Sequence, residues 1–190
     1  NYSFSSNFLV SLTVVDNNSA TSSATTTINI TAPEIPSLTV VINEIAWMGT
    51  GADDSDEWVE IYNPTSQSVN IAGWTLKSFK IKDGILASDS PDIIFATKSL
   101  DPFGYFLLER TADTTVSDIS ADRIYTGALD NGGEILELRD NTGQLQDKVG
   151  HLTSSSSVSS WYAGENNTST TPATRKTMER IDQKKSGADL

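Results

Sequence analysis

The run Glu57-Trp58-Val59-Glu60-Ile61-Tyr62-Asn63-Pro64-Thr65, answered by Ile71-Ala72-Gly73-Trp74-Thr75-Leu76, decides the fold class. Apolar and aromatic residues interleave with polar ones at the period of two that marks a β-strand. Asn63-Pro64 stops the first run, since proline has no N–H for a ladder, and Gly73 lets the second begin beside a large aromatic. We read the two runs as paired strands of a sandwich. They specify a scaffold rather than a reaction.

Outward from this stretch the chain reads as β almost throughout. Short runs recur at Leu38 to Trp47, Glu57 to Asn63, Trp74 to Lys80, Ile93 to Phe95, Tyr105 to Glu109, Ile135 to Arg139 and Leu145 to Val149. Turn signals separate them, which is the pattern of an all-β sandwich. Asp140-Asn141-Thr142-Gly143 gives the clearest hairpin turn. The one competing helical stretch is a short turn over Thr177 to Lys185. Upstream, Val10, Leu12 and Val14 share one face of a strand, and Ile28 and Ile30 mark a second. Asp16-Asn17-Asn18-Ser19 supplies the turn between them. An isolated hairpin is marginal in water, so something must cover residues 1–31.

Composition removes several function classes. The 190 residues carry 13 Lys+Arg against 25 Asp+Glu, a net charge of −12, which opposes tracking of a nucleic-acid backbone. Cysteine is absent, which removes disulfides, thiolate catalysis and cysteine-ligated zinc. No apolar run approaches the roughly 18 to 20 residues that span a bilayer, so this chain is not expected to insert into a membrane. No secretory leader opens it, and we expect a soluble piece of a longer precursor.

Leu12-Thr13-Val14-Val15-Asp16-Asn17-Asn18-Ser19, closing with Thr25-Thr26-Thr27-Ile28-Asn29-Ile30, resembles the last two strands of a PKD domain, an immunoglobulin-like module. The first half of that module is missing here. Residues 38 to about 182 resemble the bacterial form of the lamin-tail domain. The resemblance rests on Val41-Ile42-Asn43-Glu44-Ile45-Ala46-Trp47, on the opening pair of runs, and on Leu100-Asp101-Pro102-Phe103-Gly104-Tyr105-Phe106-Leu107-Leu108. It implies an immunoglobulin-like β-sandwich without catalytic residues, used for adhesion or anchoring and often attached to extracellular enzymes. The expected organisation is a partial PKD-like hairpin over 1–31, a linker over 32–37, the sandwich over 38–182 and a tail over 183–190.

Four features carry candidate chemistry. Asp53, Asp54, Asp56 and Glu57 can offer hard oxygens to a Ca²⁺, although the loop lacks the ligand order of an EF-hand and reads more simply as a solvated turn. Trp161 and Tyr162, in a Ser/Thr/Asn-rich stretch, can stack on a glycan or pack over a sheet end. Glu44 and Glu60 lie on separate strands and can face one another or a base such as Arg180. His151, the single histidine, has no nucleophile-elbow serine to serve.

The basic stretch Arg175 to Lys185 can clamp the tail onto its own domain or draw an acidic partner; the lamin-tail resemblance implies the first, with Met178 and Ile181 packed on the sandwich. The leading expectation is a non-enzymatic extracellular or cell-surface module that meets protein partners or itself, through strands added by residues 1–31. The alternatives are a calcium- or glycan-binding adhesin and an accessory domain of a secreted hydrolase or nuclease.

Overall fold

A computed structural model describes residues 6–30, 36–82, 85–96, 98–150 and 161–187. The expectations for His151, for residues 153–160 and for most of the prolyl linker fall outside them. The chain divides into two compact units, Asn1–Ile35 and Pro36–Leu190.

The first unit is a hairpin of β1 (Ser6–Val15) and β2 (Thr21–Ile30), paired antiparallel from Ser6 opposite Ile30 to Val15 opposite Thr21. The Asp16 carboxylate accepts the Asn18 and Ala20 amides at 2.8 and 2.9 Å and so shapes the turn. Strand alternation puts Phe8, Val10, Leu12 and Val14 on one face, with Ile28 opposite Phe8 and Ala24 opposite Leu12. Leu9, Thr13 and Val15 share the other face, where the Thr13 and Ser23 hydroxyls bond at 2.7 Å.

The second unit is all β among its described residues. In chain order it comprises β3 (Val41–Ala46), β4 (Trp58–Tyr62), β5 (Val69–Asn70), β6 (Thr75–Lys82), β7 (Ile85–Ile94), β8 (Ser99–Leu100), β9 (Tyr105–Arg110), β10 (Arg123–Tyr125), β11 (Ile135–Arg139), β12 (Leu145–Val149), β13 (Glu165–Asn167), β14 (Thr174–Lys176) and β15 (Met178–Glu179). One sheet has the order β10-β9-β4-β3-β15 and the other β12-β11-β6-β7; β5–β8 and β13–β14 form two-stranded ribbons. Ile42, Ile45, Val59, Ile61, Phe106 and Leu108 from the first sheet join Leu76, Ile93, Leu136, Leu138 and Val149 from the second in one core. This is an immunoglobulin-like β-sandwich.

The opening pair of runs is corrected by this topology. β4 and β6 lie in different sheets and are not hydrogen-bonded neighbours. The reason is the connection between them, which is far longer than a two-residue hairpin and is organised by a buried side chain. Asn63 donates to the carbonyls of Gln67, Leu100 and Asp101 and accepts from the Thr65 amide and hydroxyl. With β5 pairing β8, this holds the chain at the end of the core as it crosses between sheets. Gly73, at φ 75°, makes the last turn before Trp74 enters the second sheet.

Thr177 to Lys185 is also corrected. Met178–Glu179 is the edge strand β15 rather than helix, because its backbone pairs with β3 at Ile45 and Glu44. β7 extends far upstream of the run expected at Ile93. Its ladder with β6 shifts register opposite Ser90-Pro91, where proline has no N–H to give.

Asn63→Ala removes a buried hub and leaves several main-chain groups unpaired. It is expected to lower unfolding free energy by about 2–3 kcal/mol in urea titrations, against less than about 1 kcal/mol for Asn70→Ala, whose side chain caps the exposed Ala72 amide.

Candidate functional site

The acidic loop distributes its carboxylates among separate partners. Gly49, at φ 72°, starts the turn, and a Cβ there would sit 2.5 Å from the Asp53 carbonyl oxygen. Asp53 Oδ1 accepts the Ser55 amide at 2.7 Å, and that bond holds its carboxyl below the usual range. Asp54 pairs with Arg175, and Asp56 Oδ2 accepts the Thr50 hydroxyl at 2.6 Å. Glu57 is buried, with Oε1 3.0 Å from Arg110 Nη1 and Oε2 accepting the Leu129 amide at 2.7 Å. No three acidic or histidine side chains among the described residues gather as a metal shell. The geometry therefore gives Asp53, Asp54, Asp56 and Glu57 structural partners and assembles no calcium cage from them.

Trp161 is 8 % exposed. Its ring lies on Trp47 with centroids 6.2 Å apart and 14° between planes, and Nε1 donates to the Asp130 carbonyl at 2.7 Å. The indole serves the core as a packing element. Tyr162 is half-buried and lines a groove of about 500 Å³ with Ile42, Ile45, Val149, Met178 and Ile181.

Glu44 and Glu60 do face one another. They are directly opposite on β3 and β4, and Glu179 stands opposite Glu44 on β15. Thr177 donates its hydroxyl to Glu44, and Asn43 Nδ2 donates to Glu60 at 2.9 Å. Arg180 is not their partner. It turns to Asp147, with Nε 2.9 Å from the Ile42 carbonyl oxygen.

A family model for the lamin tail domain matches residues 33–153, more than half of the sequence. The chain belongs to the lamin tail domain family. A search of curated proteins found no match. The family is one of structural immunoglobulin-like domains, in keeping with the sandwich above. In this lamin tail domain the described strands β13 to β15 lie beyond the matched residues.

The tail joins the domain at a buried ion pair that the sequence reading did not single out. The Asp147 and Arg180 side chains are 0 % and 7 % exposed. Asp147 Oδ2 also accepts the Ile42 amide at 2.8 Å, and Oδ1 accepts the Gly187 amide at 3.3 Å. Burial pushes the Asp147 carboxyl up and the Arg180 guanidinium down, each opposed by the other's charge. A signal for it existed: alternation puts Asp147 on the face of Leu145 and Val149, and a charge there needs a partner. The expected tail contact through Ile181 is corrected, since Ile181 is fully exposed and only Met178 is buried.

Two further buried acids complete the domain. Glu109 accepts the amides of Thr114, Thr115 and Val116 at 2.8 to 3.1 Å and so anchors the loop after β9. Glu134 has a side-chain exposure of 0 %, neither oxygen has a hydrogen-bond partner, and Lys80 Nζ lies 3.7 Å away. Burial pushes its carboxyl up to about 7, against the pull of the nearby Ser78 hydroxyl and of Lys80.

Arg180→Ala leaves Asp147 buried without its cation and is expected to lower stability by about 3–5 kcal/mol, read as an earlier urea midpoint. For Glu134, the folded pKa lies above the unfolded value of about 4.3. Its stabilising contribution is complete below that value and is lost as pH rises through about 7. Glu134→Gln is therefore expected to flatten the decline of unfolding free energy between about pH 4.3 and pH 7; an unaltered slope would assign the decline to another group.

Proposed function

We propose that this lamin tail domain is a non-catalytic structural module of an extracellular or cell-surface bacterial protein, assembling through strand addition at its N-terminal hairpin. The observation that carries this reading is the hairpin's apolar face. Phe8, Val10, Leu12, Val14 and Ile28 are all exposed, on strands of ten residues each. A two-stranded sheet does not bury such a face by itself. Among the described residues each strand pairs along one edge only, which leaves the other for a further strand.

Composition supports the placement outside the cell. The chain is cysteine-free and carries a net charge of −12, and β2 is dominated by threonine and serine. Such a surface suits a crowded exterior, where mutual repulsion keeps chains soluble. The partners in this reading are other copies of the chain or neighbouring surface proteins.

Deleting residues 1–31 is expected to convert an assembled species to monomer in multi-angle light scattering, while the melting of the sandwich stays close to that of the full chain. An unchanged assembly mass would overturn the strand-addition reading. Protease added to intact cells should cleave the chain if it is displayed at the surface, and full protection would overturn that placement.

A further inference from the structure

The outer face of the five-stranded sheet carries an arrangement that a purely structural role does not require. Glu179, Glu44 and Glu60 stand directly opposite one another on β15, β3 and β4. Like charges in direct cross-strand register destabilise a sheet. None of the ion pairs among the described residues reaches any of the three. Burial raises the Glu60 carboxyl, and the charges of Glu44 and Glu179 add to that rise against the Asn43 hydrogen bond.

Two neighbours point to what would neutralise the row. The Asn43 carboxamide, 7 % exposed, is tied to it by the bond to Glu60, while its Oδ1 is buried and unpartnered. On the neighbouring strand β9, two residues from the Leu107 that stands opposite Glu60, Tyr105 is 56 % exposed, its ring braced by Tyr62 with centroids 4.6 Å apart. Carboxylates only accept, and these carry negative charge, so the ligand must be rich in donors and positive. A guanidinium supplies five donors and lies flat on an aromatic ring. Neighbouring strands are about 4.8 Å apart, which spreads the carboxylates along a line. No three of them close on a single ion.

We propose that this face docks an arginine-bearing basic segment of a partner protein, with Glu44, Glu60 and Glu179 pairing its cations and Tyr105 stacking on one guanidinium. The site is separate from the hairpin, so the two readings stand or fall independently. The net charge of −12 would speed the encounter.

The test is calorimetry of the full chain with a capped tetra-arginine peptide at low salt. Three proteins are compared: the native chain, Glu44→Gln/Glu60→Gln, and the charge-matched control Asp101→Asn/Asp118→Asn. The native chain and the control are expected to bind saturably, with affinity falling as salt rises. The Glu44/Glu60 variant is expected to bind at least about tenfold more weakly and to melt at a higher temperature, since its cross-strand repulsion is relieved. Equal affinity in all three would overturn the proposal by reducing it to general attraction for an acidic protein. So would the absence of saturable binding to the native chain. Saturable Ca²⁺ binding that is lost in the Glu44/Glu60 variant would overturn it in favour of an ion site.

Discussion

The buried pair of Asp147 and Arg180 is the constraint on which the rest of the sandwich is arranged. One carboxylate on β12 meets a backbone amide of β3, the guanidinium that follows β15 and an amide of the tail. The two sheets are thereby joined at one edge by a polar link as well as by the apolar core between them. Removing both charges from water is unfavourable, and the link is sustained because nearly every donor and acceptor in it is matched. Arg180 alone also reaches the carbonyls of Ile42 and Lys185. The segment from Met178 to Gly187 is therefore an integral edge of the domain, reaching past the end at 182 expected from the sequence.

The same logic of matched acids recurs elsewhere. Glu57 ties the entry to β4 to Arg110 and Leu129, and Glu109 gathers three successive amides of the following loop. These carboxylates act as internal staples in a chain that has no cysteine. Glu134 and the row of Glu44, Glu60 and Glu179 depart from this pattern. The first is buried with no hydrogen-bond partner on either oxygen, and the second is aligned against its own repulsion. At both departures burial raises a carboxyl, Glu134 and Glu60, whereas the matched acids brace the loops they hold.

Much of the fold was legible in the sequence because alternation and turn chemistry are local. The runs at Trp58 to Tyr62, Ile135 to Arg139 and Leu145 to Val149 have their own periodicity and their own stops. Partner choice was not legible, since it depends on where a connection leads. Asn63 reads locally as a strand terminator, yet its side chain carries the chain to the opposite sheet. β7 was hidden because Ser88-Asp89-Ser90-Pro91-Asp92 has the composition of a loop and becomes strand only beside β6. The acidic loop drew attention through charge density, whereas the cross-strand row needed three sequence-distant residues brought into register. Trp161 sits in a tract without periodicity, so only tertiary structure could show the indole stacked on Trp47.

The edges of the sandwich bear on how such chains avoid indiscriminate sticking. One end of the five-stranded sheet is a three-residue parallel strand and the other a two-residue strand. In the second sheet, the Ser37 and Leu38 amides occupy carbonyls of β12, and Pro91 interrupts β7. Each border is too short, already engaged or broken, so a neighbouring chain finds little continuous ladder to extend. The hairpin has no such protection along its ten-residue strands. Any strand addition to this molecule would therefore fall at the two edges of the hairpin rather than at the borders of the sandwich.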